Sequence, residues 1–259
     1  MSDQPKEAST FHTRLMKAGL AVEECRAYWE RRRTQSAPNA HTAFNEYWFG
    51  AKSLLWLQRL MADMRERFEA FPESLQVLAS WNRMPSSVRT TICHWHLQLA
   101  DPLYRAFTGS YLPRRFRDGF DSTSGEIVSQ WIEEVCPDRW QVATRKQFAR
   151  KLLYAATDAG LLKAGKTEWT FRTPAVDEVA LHYLMYVLRG TTFEGTLTAN
   201  PYVKSVGVDE VDLARRLHSA APVSIHRQGE LIDFTWRFDS LTDWAANSVA
   251  SSHREGEVA

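Results

Sequence analysis

Cysteine is scarce in this sequence, and the three cysteines present, Cys25, Cys93 and Cys136, lie far apart. Because their number is odd and their spacing wide, they provide neither a disulfide framework nor the paired ligands of a zinc site. We therefore expect buried free thiols and a reducing, cytoplasmic environment.

Long hydrophobic runs are also missing. The longest covers residues 179–188 and already contains His182, whereas a helix needs roughly 20 apolar residues to cross a bilayer. The start of the chain, MSDQPKEAST, is polar and has neither the basic start nor the apolar run of a signal peptide. We expect no membrane partner and a disordered, frayed tail over residues 1–10.

The motifs of several enzyme classes do not occur: there is no glycine-rich phosphate loop, His-Glu-x-x-His, Gly-x-Ser-x-Gly or Cys-x-x-Cys. The densest group of reactive side chains is Cys93-His94-Trp95-His96. Adjacent helical positions point about 100° apart, so these side chains cannot converge on one metal ion unaided, and we interpret both histidines as helix-packing residues. The sequence predicts no catalytic activity, no cofactor and no metal site.

The overall composition is that of a folded protein. Its 259 residues suffice for one large domain or two, and its 44% hydrophobic and 24% charged residues exclude global disorder. The ten tryptophans are expected to fill cores and interfaces. Because the net charge is only +1, from 32 basic and 31 acidic side chains, a local excess of positive charge stands out.

Apolar residues recur at three- and four-residue spacing through most of residues 11–120, which is typical of helices in a bundle. We expect a break at Gly19, a possible bend at Gly50 and a domain boundary near residues 121–124. The fold prediction is a mainly α protein with an N-terminal helical bundle over residues 11–120. Helices are predicted over residues 11–33, 40–70, 73–81, 86–99 and 103–107, with a connector over 109–120.

Residues 121–259 are expected to form a winged-helix domain with short β-hairpins. A bracing helix is predicted over residues 125–135 and a central core helix over 177–189. A possible second helix-plus-hairpin module covers residues 207–249, with strands at 223–226 and 231–238. From Thr173 onward, seven basic side chains are outnumbered by twelve acidic ones, so this region is expected to pack or to contact a protein partner.

A helix is predicted from Thr144, because Thr144 and Gln147 have the spacing of a capping box. Gly160 follows its last apolar position, where a left-handed C-terminal cap favours glycine. One face of this helix is therefore expected to be buried. That face comprises Phe148, Ala149, Leu152, Leu153, Ala155, Ala156 and Ala159.

A hairpin is predicted directly after this helix. Leu161 and Leu162 begin its first strand, residues 163–166 form the turn, and residues 167–173 alternate as the return strand. A helix, a glycine stop and a basic-tipped hairpin in this order are typical of a winged-helix element.

Positive charge is concentrated in this helix and hairpin. Residues 139–172 contain eight basic side chains but only two acidic ones, Asp158 and Glu168. Such a cationic surface suits a polyanion such as the DNA backbone, although a solvated helix that only aids solubility is the simpler alternative. The candidate DNA-binding residues are Arg145, Lys146, Arg150, Lys151, Tyr154, Lys163, Lys166 and Arg172. Since only Gln147 and Thr157 on the exposed face suit base recognition, weak sequence preference is expected.

Three short segments of the chain carry a resemblance to a known family. They are Met16-Lys17-Ala18-Gly19-Leu20 leading into Glu23-Glu24, the segment LADPLYRAFTGSYL at residues 99–112, and Thr144-Arg145-Lys146 leading through Leu152-Leu153 to Ala159-Gly160-Leu161-Leu162. With these segments the chain resembles the BrxA family, the small accessory proteins of BREX phage-defence systems. The resemblance implies an antitermination-factor-like bundle joined to winged-helix elements, binding to double-stranded DNA and no catalytic activity. Carried over by position, it implies DNA contact at Lys146, Arg150, Lys151, Lys163 and Lys166. It gives no role to residues 190–259.

Three functional hypotheses follow. The first is a non-enzymatic, double-stranded DNA-binding component of a BREX-type phage-defence system. The second is an adaptor that docks other defence-system proteins through its winged elements and acidic C-terminal region. The third, RNA binding through the helical bundle and Arg31–Arg33, lacks evident stacking aromatics beside that basic cluster.

Overall fold

The computed structural model describes residues 4–35, 39–229 and 231–249. Over these residues the protein is mainly helical, with two small antiparallel sheets, which confirms the fold prediction in outline. Residues 1–3 of the expected tail and residues 250–259 of the expected second domain lie outside the described residues.

The first half of the chain is mostly helical from Leu15 onward, and non-helical segments connect its helices. Its helices are α1 (Leu15–Ala18), α2 (Val22–Arg32), α3 (Ala40–Asn45), α4 (Leu54–Met64), α5 (Pro72–Ser80), α6 (Ser86–Ala100), α7 (Pro102–Ala106) and α8 (Leu112–Arg117). π-Helical turns at Arg65–Glu69 and Phe107–Tyr111 extend α4 and α7. The second turn joins α7 to α8, so residues 102–117 form one continuous helical stretch.

The long helix predicted over residues 40–70 is wrong in its middle. Residues 46–53 are not helical, and Gly50 has a φ of 72° rather than marking a bend within one helix. A separate helix, α4, begins after this interruption, because the Ser53 hydroxyl accepts a hydrogen bond from the Trp56 amide and caps its N-terminus. The break predicted at Gly19 is confirmed by its φ of 60° after α1.

The connector predicted over residues 109–120 is also wrong, since this stretch stays helical as far as Arg117. Aromatic packing explains the difference. The Phe107 and Tyr111 rings lie 5.6 and 4.8 Å from the Trp131 ring of the following half. Such contacts hold the helix against the core, and the local charge pattern of residues 114–117 does not reveal them.

α6 runs through the centre of the core and carries both histidines that the sequence singles out. His94 is hydrogen-bonded to Tyr104 Oη at 2.9 Å and to Ser205 Oγ at 2.8 Å. His96 is hydrogen-bonded to the Arg67 carbonyl at 2.8 Å and to Tyr183 Oη at 2.7 Å. Both are buried, so their interpretation as helix-packing residues is confirmed.

The three cysteines are buried and free, as predicted. None of the helices in the described ranges combines the length and the apolar character that a membrane crossing requires.

Residues 5–8 are not the frayed tail that the sequence predicts. The Glu7 amide donates to the Thr192 carbonyl at 3.1 Å, and the Ala8 amide donates to the Leu99 carbonyl at 2.8 Å. The Glu7 side chain is buried, where its carboxylate accepts from Tyr202 Oη. The polar sequence of this segment does not make it a frayed tail, because its backbone amides and the Glu7 carboxylate form hydrogen bonds with residues far along the chain.

The second half alternates helices with short strands. Its elements are β1 (Ser122–Ser124), α9 (Gly125–Val135), α10 (Val142–Asp158), β2 (Leu162–Ala164), β3 (Glu168–Phe171), α11 (Glu178–Arg189), α12 (Pro201–Ser205), α13 (Glu210–Arg216), β4 (Val223–Gln228), β5 (Leu231–Trp236) and α14 (Leu241–Ser248). The first sheet has the strand order β1-β3-β2, and the second consists of β4 and β5. The helices predicted over residues 125–135 and 177–189 correspond to α9 and α11.

The hydrophobic core is continuous across the predicted domain boundary. One cluster of buried side chains includes Leu15 of α1, Leu57 of α4, Phe148 of α10 and Trp244 of α14. β1 lies at the predicted boundary and belongs to the three-stranded sheet. The division into residues 11–120 and 121–259 remains a prediction.

Candidate nucleic-acid interface

α10 begins at Val142, two residues before the predicted start. Gln141 is its N-cap residue and provides no side-chain cap, so the capping box predicted for Thr144 and Gln147 does not form. The reason is that Thr144 already lies within the first turn, where the Arg145 amide donates to the Gln141 carbonyl at 3.0 Å. The predicted buried face is confirmed, because all seven of its residues are buried in the core.

The end of α10 is fixed by Gly160, as predicted. The Leu161 amide donates to the Ala156 carbonyl at 2.9 Å, and the Gly160 amide donates to the Thr157 carbonyl at 2.9 Å. This pair of hydrogen bonds is a Schellman motif, which requires the left-handed φ of 77° observed at Gly160. The chain therefore leaves the helix in a defined direction and enters β2 after one residue.

The β2–β3 hairpin follows in the predicted place, with Lys163 opposite Thr170. Its turn closes through the Gly165 amide, which donates to the Glu168 carbonyl at 2.8 Å. The predicted alternation is confirmed: Trp169 is half-buried against the core, whereas Glu168 and Thr170 are exposed. Lys163 is consequently on the solvent face of the sheet.

A row of exposed side chains connects α10 to this hairpin. Lys146, Arg150 and Tyr154 are spaced four residues apart, so they lie along one stripe of the helix, and all three are exposed. The Tyr154 ring packs edge-on against Trp169 of β3, with 6.2 Å between ring centroids. The helix stripe therefore ends at the hairpin, and the two elements form one surface.

Most cations of this surface are unpaired. Lys146, Arg150, Lys163, Lys166 and Arg172 are exposed, and none of the ion pairs found in the described ranges involves them. Lys151 is half-buried and is likewise outside those ion pairs. Exposed cations without carboxylate partners keep their charge available for an anionic ligand. We refer to these five exposed residues as the basic surface.

Arg145 does not share this environment. Its guanidinium forms an ion pair with Glu133 of α9 and donates to the Trp140 carbonyl at 2.6 Å. Its side chain is only 18% exposed. Arg145 therefore ties α9 to α10, and its contact with DNA stays a prediction.

Two cations that sequence reasoning left out lie near the hairpin. Arg114 and Arg117 on α8 are exposed, and Phe116 between them lines the same cavity as Phe171 and Arg172 at the base of β3. Their signal in the sequence is the cluster Arg114-Arg115-x-Arg117, which lies within the predicted connector. β1 was also missed, because its three residues, Ser-Thr-Ser, carry no hydrophobic alternation.

The second helix-plus-hairpin module is present as α13, β4 and β5, with Val223 opposite Trp236 and Gln228 opposite Leu231. Glu230, in its turn, lies outside the described residues. Two of the module's basic side chains are paired, because Arg215 and Arg216 both form ion pairs with Asp212. The module therefore differs from the α10 hairpin in charge as well as in lacking a third strand over its described residues.

The comparisons with known proteins add no assignment to this geometry. No protein-family model matches the chain, and no curated protein sequence matches it.

Proposed function

We propose that α10 and the β2–β3 hairpin bind double-stranded DNA. The observation that carries this proposal is the basic surface: five exposed cations, on a helix and hairpin joined by the Tyr154–Trp169 contact, without carboxylate partners in the described ranges. Phosphate contacts by such side chains release condensed counterions and supply most of the affinity of non-specific DNA binding.

The order of the elements supports a winged-helix mode of binding. β1, α9, α10, β2 and β3 follow one another, and β1 closes the sheet beside β3. In helix-turn-helix proteins the second helix of the pair lies in the major groove while the first crosses the backbone. By this analogy α10 enters the major groove, and the hairpin, through Lys163 of β2 and Lys166 of the turn, contacts a flanking phosphate or the minor groove.

The proposed interface has few groups that read bases. Thr157 donates its hydroxyl hydrogen to the Leu153 carbonyl at 2.8 Å, which leaves Gln147 as the exposed amide on this face. The other exposed side chains are long and cationic, and they contact phosphates in preference to base edges. We propose binding with weak sequence preference.

The resemblance to the BrxA family extends this proposal to a biological setting. We propose that the chain is a non-enzymatic, cytoplasmic component of a BREX-type phage-defence system. The support is the agreement between the positions carried over from that family and the exposed residues Lys146, Arg150, Lys163 and Lys166.

The test is the affinity for a fluorescent 20-base-pair duplex, measured by anisotropy at low salt. The double variant Arg150→Glu/Lys166→Glu removes two phosphate contacts and adds repulsion, so we expect affinity to fall at least 100-fold. The matched control is Lys52→Glu/Arg59→Glu, which changes the net charge equally at exposed positions on or beside α4. Equal losses in both variants would show that only the net charge matters and would overturn the assigned surface.

Salt dependence provides an independent count of the contacts. Five phosphate contacts give a slope of about −4.5 in a plot of log affinity against log salt concentration, and three contacts give about −2.7. The wild type is expected to show the first slope and the Arg150→Glu/Lys166→Glu variant the second. A slope shallower than about −2 for the wild type would contradict a contact surface of this size.

A protein partner at the C-terminal region is the second candidate function. Val211 and Leu231 are the most exposed large hydrophobic side chains in the described ranges, at 79% and 71%. An adaptor function predicts no duplex binding in the same assay and a co-purifying partner that Val211→Ser/Leu231→Ser no longer retains. Competition between duplex DNA and single-stranded RNA for the purified protein separates DNA binding from RNA binding.

A further inference from the structure

A cavity of about 310 Å³ lies at the base of the β2–β3 hairpin. Its walls come from α8, from the hairpin and from α12 with the residues after it. The side chains that matter for recognition are Leu112, Phe116, Leu161, Phe171, Arg172 and Lys204. Ligand pockets for small molecules begin at about this size.

The walls of the cavity are mostly apolar. Leu112 and Leu161 are buried and Phe171 is half-buried, whereas Phe116 is 65% exposed at the rim. Phe116 does not belong to the aromatic side chains packed against the core. An exposed aromatic ring beside a concave apolar wall can cover an apolar molecule that enters.

Two cationic side chains line the same cavity. Arg172 and Lys204 are both exposed, and neither takes part in an ion pair within the described ranges. Ser205, the polar neighbour of Lys204, is not free, because its hydroxyl donates to the Tyr202 carbonyl at 2.7 Å and is hydrogen-bonded to His94. The positive charge available for polar recognition in this cavity therefore comes from Arg172 and Lys204.

Contacts within the protein fix the walls of the cavity. The Arg172 amide donates to the Leu161 carbonyl at 2.9 Å, which holds the base of the hairpin. The Asn200 side chain caps α12 by accepting from the Tyr202 and Val203 amides. At Gly207 a Cβ atom would lie 2.5 Å from Thr173 Cγ2, so the two walls meet closely at this point.

We propose that this cavity binds a small organic anion with an apolar body. The apolar walls take up the body, and Arg172 and Lys204 bind the anionic head group. On the basis of the proposed function, we also expect the anion to compete with DNA. Arg172 belongs to both the cavity and the basic surface, so a bound anion neutralises its charge and weakens DNA binding.

The test uses two fluorescent probes with the same aromatic body. 8-Anilinonaphthalene-1-sulfonate carries an anionic head group, and N-phenyl-1-naphthylamine lacks it. We expect the wild type to bind one equivalent of the sulfonate at least tenfold more tightly than the neutral amine. Lys204→Glu is expected to abolish this preference, Phe116→Ala to weaken both probes, and Arg59→Glu on α4 to change neither.

Equal affinity for the two probes, or sulfonate binding that Lys204→Glu leaves unchanged, would overturn the proposed site. The three replaced side chains, Lys204, Phe116 and Arg59, are exposed, so their replacement does not disturb the core. Circular dichroism before and after each replacement checks this directly.

The link to DNA is tested by repeating the duplex titration at saturating sulfonate. We expect the affinity for duplex to fall about threefold to tenfold in the wild type and to stay constant in Lys204→Glu. An unchanged wild-type affinity would overturn the competition while leaving the cavity intact. A protein that binds the sulfonate but no duplex would contradict the proposed DNA function alone.

Discussion

Acid should destabilise this protein through its two buried histidines on α6. Ser205 Oγ donates to the Tyr202 carbonyl, so it accepts from His94 Nε2, and His94 Nδ1 is left to accept from Tyr104 Oη. His96 donates through Nδ1 to the Arg67 carbonyl and accepts through Nε2 from Tyr183 Oη. Each neutral ring is thus fully hydrogen-bonded, and a second ring proton would displace the hydrogen bond that a tyrosine hydroxyl donates to the ring.

Burial lowers the pKa of His94 to about 3, and burial likewise lowers the pKa of His96 to about 4. In the unfolded chain a histidine has a pKa of about 6.5. Because the folded values are depressed, stability is fully present above about pH 6.5 and is lost as the pH falls towards the folded values. Between pH 7 and pH 5, the free energy of unfolding therefore falls by about 2 kcal/mol for each histidine and by about 4 kcal/mol for the pair.

Other buried groups also make the stability depend on pH, so the contribution of His94 is measured by comparing the wild type with a His94 variant. Burial raises the pKa of Asp63 and of Asp101, which favours the folded state as the pH falls and opposes the histidines. Burial also lowers the pKa of His182 to about 4, which acts in the same direction as His94 and His96. These contributions are common to the wild type and to His94→Gln.

The assay is urea unfolding followed by tryptophan fluorescence at pH 7 and pH 5, at constant ionic strength. His94→Gln should be less stable than the wild type at pH 7, but its loss between the two pH values should be about 2 kcal/mol smaller. If both proteins lose the same free energy of unfolding, His94 is not held neutral by the fold and the reasoning is refuted.

Two further predictions concern stability. Gly160→Ala should lower the free energy of unfolding by about 1 kcal/mol, because Gly160 has a positive φ. The added Cβ would make only an ordinary contact with Pro174, at 3.7 Å. Thermal unfolding at pH 7 measures the loss, and a loss above about 3 kcal/mol would indicate a steric clash instead. Arg67→Met should lower the free energy of unfolding by about 3–5 kcal/mol, since it leaves Asp63 buried without its ion pair of 2.6 Å. In urea unfolding, the double variant Arg67→Met/Asp63→Leu should recover part of that loss. No recovery would show that the unpaired Asp63 is not the cause.

The helix and hairpin of the candidate site could be predicted because their signals are local. The buried face of α10 follows from apolar residues at three- and four-residue spacing, and Gly160 marks the helix end through its own backbone requirement. The alternation of Trp169 and Phe171 likewise assigns the inner face of β3. In each case the residues that carry the signal are neighbours in sequence.

The features that the sequence did not reveal depend on distant partners. β1 joins the sheet only because Ser122 and Ser124 pair with Thr170 and Glu168 of β3. Arg145 differs from its cationic neighbours only through its ion pair with Glu133 on α9, which is 12 positions earlier in the sequence. No local pattern of charge or hydrophobicity distinguishes such a residue from one that faces solvent.

The same distance in sequence affects the order in which the chain can fold. The Glu7 carboxylate accepts from Tyr202 Oη and from the Glu194 amide, partners 195 and 187 residues away along the chain. During synthesis on the ribosome, the contacts of residues 5–7 with Thr192, Glu194 and Tyr202 therefore cannot form until most of the chain has emerged. Contacts closed over so long a loop form late and slow the completion of folding, so this first segment should be among the last to acquire its native structure.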